Sequence, residues 1–302
     1  MKSNILISMN SERKGELFLF AELILWSLFP VMTVLSYSTL SPLISLAFNT
    51  IASTLFFATV LTFKKKWSCI PSRSTMKDIL LGTICIGVFF YSFVFLGMKY
   101  TSVGNTAIFL QMEVLFTVLF FNVWKKEYLS LHHILGIIFM LIASLILLFP
   151  KDFSFNIGDI CIIVGTMFAP VGNYYQKRAM QGTSPEYIMF IRSAISAPCI
   201  LLLALLLGEQ FTVFDIHNAF WLIVINGCVL LGLSKVLWLE AIHRISVTKA
   251  ISLASFSAFL TLLFSFLLLH EIPTITQIIA VFPMMLGIIL MTSRKKYLQV
   301  TE

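Results

Sequence analysis

Glu113 is the residue on which any chemistry of this chain centres. It lies in VGNTAIFLQMEVLFTVLFFNVWKKE, residues 103–127, about twenty mostly apolar positions and long enough for a helix to cross the hydrocarbon core of a bilayer. Ten residues at ~1.5 Å each put Glu113 near the midplane. A carboxylate there costs roughly 3 kcal/mol on insertion scales, so it must face protein or water. It reads either as the partner of a cationic substrate group or carrier of a coupling proton, or as a structural acid bonded to a neighbouring helix. Gln111 and Asn105 are neutral amides of the kind that bridge helices.

Glu22 stands in the first apolar run, with Trp26 and Pro30 at i+4 and i+8 and so on the same helical face. An acid and an indole on one wall suit an amine or sulfonium ion, through charge and cation–π attraction. The alternative is a boundary acid paired with a nearby base. Arg192 and Lys235 are the in-span bases. Either can hold a substrate carboxylate or pair with Glu22 or Glu113. Both fall within about two turns of the nearer helix end, where long basic side chains can snorkel. Glu113 is then the one charge expected at the midplane.

The elements that carry these residues are apolar helices. The 302-residue chain is 59% hydrophobic and 12% charged, with mean hydropathy +0.95. A soluble domain averages about half apolar and a quarter charged. The apolar runs are continuous and not alternating, which excludes a β-barrel. Ten spans are predicted, at roughly 16–36, 42–63, 78–97, 102–123, 131–149, 158–176, 186–207, 218–240, 246–269 and 274–293. The first lacks a cleavage site and keeps Glu22, so it reads as a helix of the protein and not as a signal peptide. With both termini inside, seventeen of the 21 Lys and Arg fall in inside segments, and only Lys99 and Lys151 fall outside. The net charge of +7 is therefore a topology signal, and no nucleic-acid partner is expected.

The chain also repeats itself. At offset 144, Ser102, Val103, Thr117, Leu119, Phe120 and Glu127 recur as Ser246, Val247, Thr261, Leu263, Phe264 and Glu271. At offset 143, Gly15-Glu16 recurs as Gly158-Asp159, and Ser41-Pro42 as Ser184-Pro185. Five spans per half is an odd number, so the halves are inverted, an architecture of secondary transporters with the substrate site between them. In the second half Ser255 and Ser257 replace Gln111 and Glu113. The fold class is thus an all-α polytopic membrane protein, ten helices in two inverted five-helix repeats. Residues 1–14 form a tail, 15–150 and 151–293 the repeats, and 294–302 a basic tail.

These features resemble the EamA-type domains of the drug/metabolite transporter superfamily. Each half opens with Gly-Asp/Glu, has a Pro before its second helix, and ends its small-residue-rich fourth helix near an acid, in KKEYLS and LHEIPT. The resemblance implies transport of small metabolites and a cavity lined by helices 1, 3, 4, 6, 8 and 9. Tyr91, Phe95, Trp238, Phe256 and Phe259 fall on those helices and could stack on a substrate ring. The family's basic residue early in helices 2 and 7 is present as Arg192 but replaced by Asn49 in helix 2.

Enzyme motifs are missing. His270-Glu271 lacks the second histidine of a zinc site, Thr274 standing in its place, and His132-His133 are adjacent. The cysteines Cys69, Cys85, Cys161, Cys199 and Cys228 are scattered. No catalytic residue, metal or cofactor is expected, and without a Walker loop primary ATP-driven transport by this chain alone is excluded. The expected activity is secondary transport of an amino acid or related zwitterion, including a larger one such as S-adenosylmethionine, in a bacterial inner (plasma) membrane. The bilayer, the substrate, and a coupling proton or counter-substrate are its partners. Efflux of cationic drugs or polyamines is the alternative, and a membrane-embedded enzyme or assembly subunit a more remote one. Pro30, Pro170, Pro198 and Pro283 offer hinges for alternating access. Tyr174 and Tyr175 fit an interfacial belt.

Overall fold

The structure, a computed structural model, describes residues 2–67, 71–125, 131–148, 156–245, 250, 253, 254 and 256–292. Cys69, Lys126, Glu127, Lys151, Ser246, Val247, Lys249, Ser255 and the 294–302 tail lie outside the described residues.

The apolar runs fold as helices because a backbone in lipid must bond internally. We number them α1 (Lys2–Ser36), α2 (Pro42–Phe63), α3 (Arg73–Met98), α4 (Val103–Leu110 and Met112–Lys125), α5 (Leu131–Leu148), α6 (Ile157–Ala179), α7 (Pro185–Leu206), α8 (Val213–Ala241), α9 (Ser257–Leu269) and α10 (Ile275–Thr292). Among the described residues, seven of the ten are long and apolar enough to cross a membrane; Ile134–Leu147, Ser257–Leu269 and Ile275–Leu290 are shorter apolar helices.

The pairing of helices follows the repeat. α2 packs on α7, α4 on α9 and α5 on α10, each joining equivalent helices of the two halves. The pairs α1 with α8 and α3 with α6 exchange under the same equivalence, as do α2 with α8 and α7 with α3, and α1 with α9 and α6 with α4. One two-fold-like relation therefore generates the whole set. The glycine landmarks obey it too. A Cβ on Gly158 would lie 2.5 Å from the Gly97 carbonyl and 2.9 Å from the Thr101 nitrogen, and one on Gly15 would lie 2.9 Å from Ile245 and 3.4 Å from the Ala241 carbonyl. Gly97 and Ala241, like Thr101 and Ile245, are 144 residues apart, so each half's opening glycine docks on the same turn of the other half. Pro42 and Pro185 occupy the first turns of α2 and α7, where the missing N–H is harmless.

The irregular backbone is symmetric as well, and it avoids the prolines. α3 and α8 carry π-helical stretches at Thr83–Phe90 and Ile225–Leu233, features often found at functional sites. α4 is interrupted at Gln111 (φ −69°, ψ −14°), and α9 begins after Phe256 with nearly the same angles (−66°, −13°). Pro30, Pro170, Pro198 and Pro283 instead lie within continuous helices. The π segments and the α4 break are further points at which these helices can flex.

Candidate functional site

The break in α4 places Glu113 in the first turn of its second half, where the helix dipole favours an anion. Asn173 of α6 donates to Glu113 Oε1 at 2.7 Å. Asn173 is exposed and Glu113 half-buried, so the pair is not sealed inside the core. Gln111 donates to Ser257 Oγ at 2.9 Å, as expected of an interhelical amide.

Glu22 is buried (3% exposed) and accepts from Ser234 Oγ of α8 at 3.3 Å. The next residue, Lys235, projects its Nζ to 3.3 Å from the centroid of the Trp26 ring. Phe29 stacks against Trp26, with ring centroids 4.8 Å apart and planes 1° from parallel. Trp26 is therefore enclosed between an ammonium and a phenyl ring, and the face expected to receive a ligand cation is covered by the protein's own. Lys235 interacts electrostatically with Glu22, Glu113 and Arg192. Arg192, also buried, donates to Gln176 Oε1 at 3.2 Å. Tyr91 is buried within the field of Arg192 and Glu113.

These observations correct two expectations. Glu113 is not a solitary central charge but one of four coupled ones, two acids and two bases. Lys235 does not snorkel to the nearer end of α8. Side chains lean toward a helix's N-terminus, and that end of α8 is the farther one, so the lean carries Lys235 inward. Two carboxylates near two cations offset part of the cost of removing each from water.

Of the expected aromatic residues, Tyr91 and Phe95 are buried next to the charged cluster's Trp26–Phe29 stack. Both pack edge-on against Phe29, at 6.2 and 5.9 Å between centroids. Trp238 packs instead with Leu19, Ala241 and Phe18, in a separate apolar cluster of α1 and α8. Phe256 and Phe259 pack on one another at 5.2 Å and share an exposed stripe with Leu263 and Phe266. That stripe is opposite Ser257 and Thr261, the α9 residues that bond α4 and α1, so neither phenylalanine joins the cluster. Tyr174 and Tyr175 lie near the Arg178 guanidinium, which pairs with Asp78.

Sequence reasoning missed Asn173, Ser234, Gln176 and Phe29. A polar amide inside an apolar span was the available signal for Asn173. Ser234 and Phe29 are types too common in such helices to stand out.

The sequence pattern of the EamA-like transporter family matches the chain twice, at residues 13–149 and 156–293. The uncharacterized transporter YoaV of Bacillus subtilis (strain 168) is 21% identical over 232 residues, which cover 74% of this chain and 79% of that protein. An uncharacterized transporter of Methanothermobacter thermautotrophicus is 25% identical over 220 residues, covering 70% of this chain and 62% of its own length. A solved crystal structure with 17% identity superposes with a TM-score of 0.65, over 93% of this chain and 97% of the other, a likeness of fold. This agrees with the ten-helix, twice-repeated architecture, and the chain belongs to the EamA-like transporter family, a family of membrane transporters and not of enzymes.

Proposed function

We propose that this transporter moves a small zwitterion, an amino acid or a larger relative of the S-adenosylmethionine kind, by alternating access of its two halves. The observation that carries this reading is Lys235 seated on Trp26 within a charge-balanced set of Glu22, Glu113, Lys235 and Arg192. A site of no net charge favours a solute that brings both signs. A purely cationic drug or polyamine would have to compete with Lys235 and Arg192 for the two carboxylates, which weighs against the efflux alternative.

Binding works as an exchange. A substrate carboxylate draws the Lys235 ammonium away from the indole, and the substrate's own ammonium takes its place between Trp26 and Glu22, with Glu113 within reach. The site's internal cation–π contact is thereby replaced and not lost, so the site need not be left with an unpaired buried charge. Glu113 also suits a coupling proton. The π segments of α3 and α8 and the break in α4 are the points at which the halves can flex around the site. Tyr91 and Phe95 form an aromatic wall for a substrate ring, whereas Trp238, Phe256 and Phe259 take no part in binding.

The surplus of Lys and Arg in one set of loops supports a multi-pass orientation in a bacterial inner (plasma) membrane with both termini cytoplasmic. A thermal-shift screen of the purified protein against amino acids, sulfonium metabolites, polyamines and organic acids tests the substrate class, followed by counterflow of the hits in liposomes at several pH values. Zwitterions are expected to stabilise and exchange. Counterflow of polyamines but not of zwitterions would favour the cation-efflux reading.

A further inference from the structure

We infer that a second cavity, at the ends of α4 and α9 away from the charged cluster, is a binding site for a small organic cation, with Glu271 as its anionic anchor. This inference stands apart from the reading of the central site. The cavity measures about 520 Å³, within the range of small-molecule sites. Its wall includes Asn105, eight residues along α4 from Glu113, and Ser265, eight residues along α9 from Ser257. Eight residues of helix are about 12 Å, and the Gln111–Ser257 bond lies between the two sites.

The wall is built and not incidental. α9 ends at His270 in the left-handed conformation (φ 57°), a costly one for a residue with a Cβ, and the reversal folds Glu271 back onto its own helix. Ser265 Oγ then donates to Glu271 Oε2 at 2.8 Å. Among the described residues the other carboxylate oxygen, Oε1, accepts no hydrogen bond. Across the cavity, buried Gln277 is fully engaged. Its Nε2 donates to Ser102 Oγ at 2.8 Å and to Asn105 Oδ1 at 2.9 Å, and its Oε1 accepts from the Thr274 N–H at 3.0 Å. A Cβ on Gly104 would lie 2.6 Å from Leu262 Cδ2 and 2.8 Å from the Gln277 amide carbon, so the glycine lets these side chains pack closely against α4.

Charge decides the ligand class. Among the described residues, Glu271 is the only charged side chain in the lining. A second carboxylate stands directly behind them, since Asp159 accepts from Thr101 and, at 3.5 Å, from Asn105. The remaining polar wall is neutral hydroxyl and amide. Such a concavity gathers cations and repels anions. An ammonium group would pair with Glu271 Oε1 and add hydrogen bonds to the neighbouring hydroxyls.

The test uses detergent-purified full-length protein carrying Thr276→Cys, a half-buried position in the wall. Its modification above the parent's background is followed with a trimethylammonium-bearing and a sulfonate-bearing methanethiosulfonate. The cationic-to-anionic rate ratio should fall by about fivefold or more when Glu271→Gln is added. Millimolar agmatine should slow the cationic reagent, sodium acetate should not, and Glu271→Gln should abolish the protection. The unlabelled parent supplies a second measurement that needs no cysteine variant: agmatine should raise its Tm, and Glu271→Gln should remove the part of that rise due to this cavity. An unchanged rate ratio, protection that survives Glu271→Gln, or a Tm rise identical in parent and Glu271→Gln overturns the inference. None of these readouts depends on transport, so a failed counterflow experiment would leave it intact.

Discussion

Gln111 of α4 donates a hydrogen bond to Ser257 of α9 at 2.9 Å, joining two equivalent helices at the places where both depart from α-helical geometry. The bond crosses from one half of the protein to the other beside Glu113. Helix breaks of this sort are tolerated inside a membrane only where protein or a cavity satisfies the freed backbone groups. The same interruption that weakens the helix therefore presents Glu113 at a helix N-terminus.

That bond should be measurable. Gln111→Leu and Ser257→Ala are each expected to lower stability by about 1 kcal/mol, the size of an interhelical hydrogen bond in membrane proteins. The double variant should cost less than the sum, with a coupling of roughly 0.5–1 kcal/mol. Denaturation of the four proteins in detergent provides the check, and strict additivity would mean that the bond does not form.

The start of α2 offers a second test. Glu209 Oε2 accepts from Ser41 Oγ at 2.7 Å and from the Leu43 and Ile44 N–H groups at 3.1 Å each. A carboxylate from beyond the end of α7 thus serves as the cap of α2. Glu209→Ala should cost about 1–2 kcal/mol, and Glu209→Gln, which keeps an acceptor, appreciably less. At the other end of the same helix pair, Lys64 and Lys66 both reach Glu186, at 2.6 and 3.2 Å. Because the two lysines share one acid and are substantially exposed, Lys64→Ala alone should change stability by less than ~1 kcal/mol. Thermal unfolding of the three variants separates these cases.

Transport assays should divide the aromatic residues. Trp26→Ala removes the surface on which Lys235 rests and should reduce counterflow by about tenfold or more. Phe256→Ala and Phe259→Ala, on the exposed stripe of α9, should leave it within about twofold. A large loss at either phenylalanine would place the solute path on that stripe.

Glu113 and Asn173 should behave as a unit. Glu113→Gln is expected to reduce transport by about tenfold or more. Asn173→Leu, which strips Glu113 of its donor and adds bulk beside it, should show the same direction of change. If Glu113 carries the coupling proton, Glu113→Gln should also abolish the pH dependence of net flux while sparing part of the exchange. Net uptake and counterflow at two pH values check both variants.

The fold was legible because lipid is a demanding solvent. Each span needs a long apolar run, and Gly15, Gly158, Pro42 and Pro185 mark equivalent points of the two halves. Glu113 was legible for the same reason, since a carboxylate among leucines and phenylalanines is conspicuous. The rest of the site was not. Whether Lys235 snorkels or turns toward Glu22 stayed open, because distance along a helix was counted without the direction in which its side chain leans. Ser234 acquires meaning only from Glu22, 212 residues away in the chain. Phe29, one of 29 phenylalanines, is distinguished only by its stacking on Trp26. The π segments have no local signature, because their apolar residues are equally at home in an α-helix.

The most direct test of the exchange is Lys235→Met in liposome counterflow, with the zwitterion found by screening and a matched amine that lacks its carboxylate. Lys235→Met should lower zwitterion counterflow by about tenfold or more while leaving amine exchange equal to or faster than that of the parent, because the ammonium's place over Trp26 is then vacant. Unchanged counterflow of the zwitterion by Lys235→Met would contradict the account.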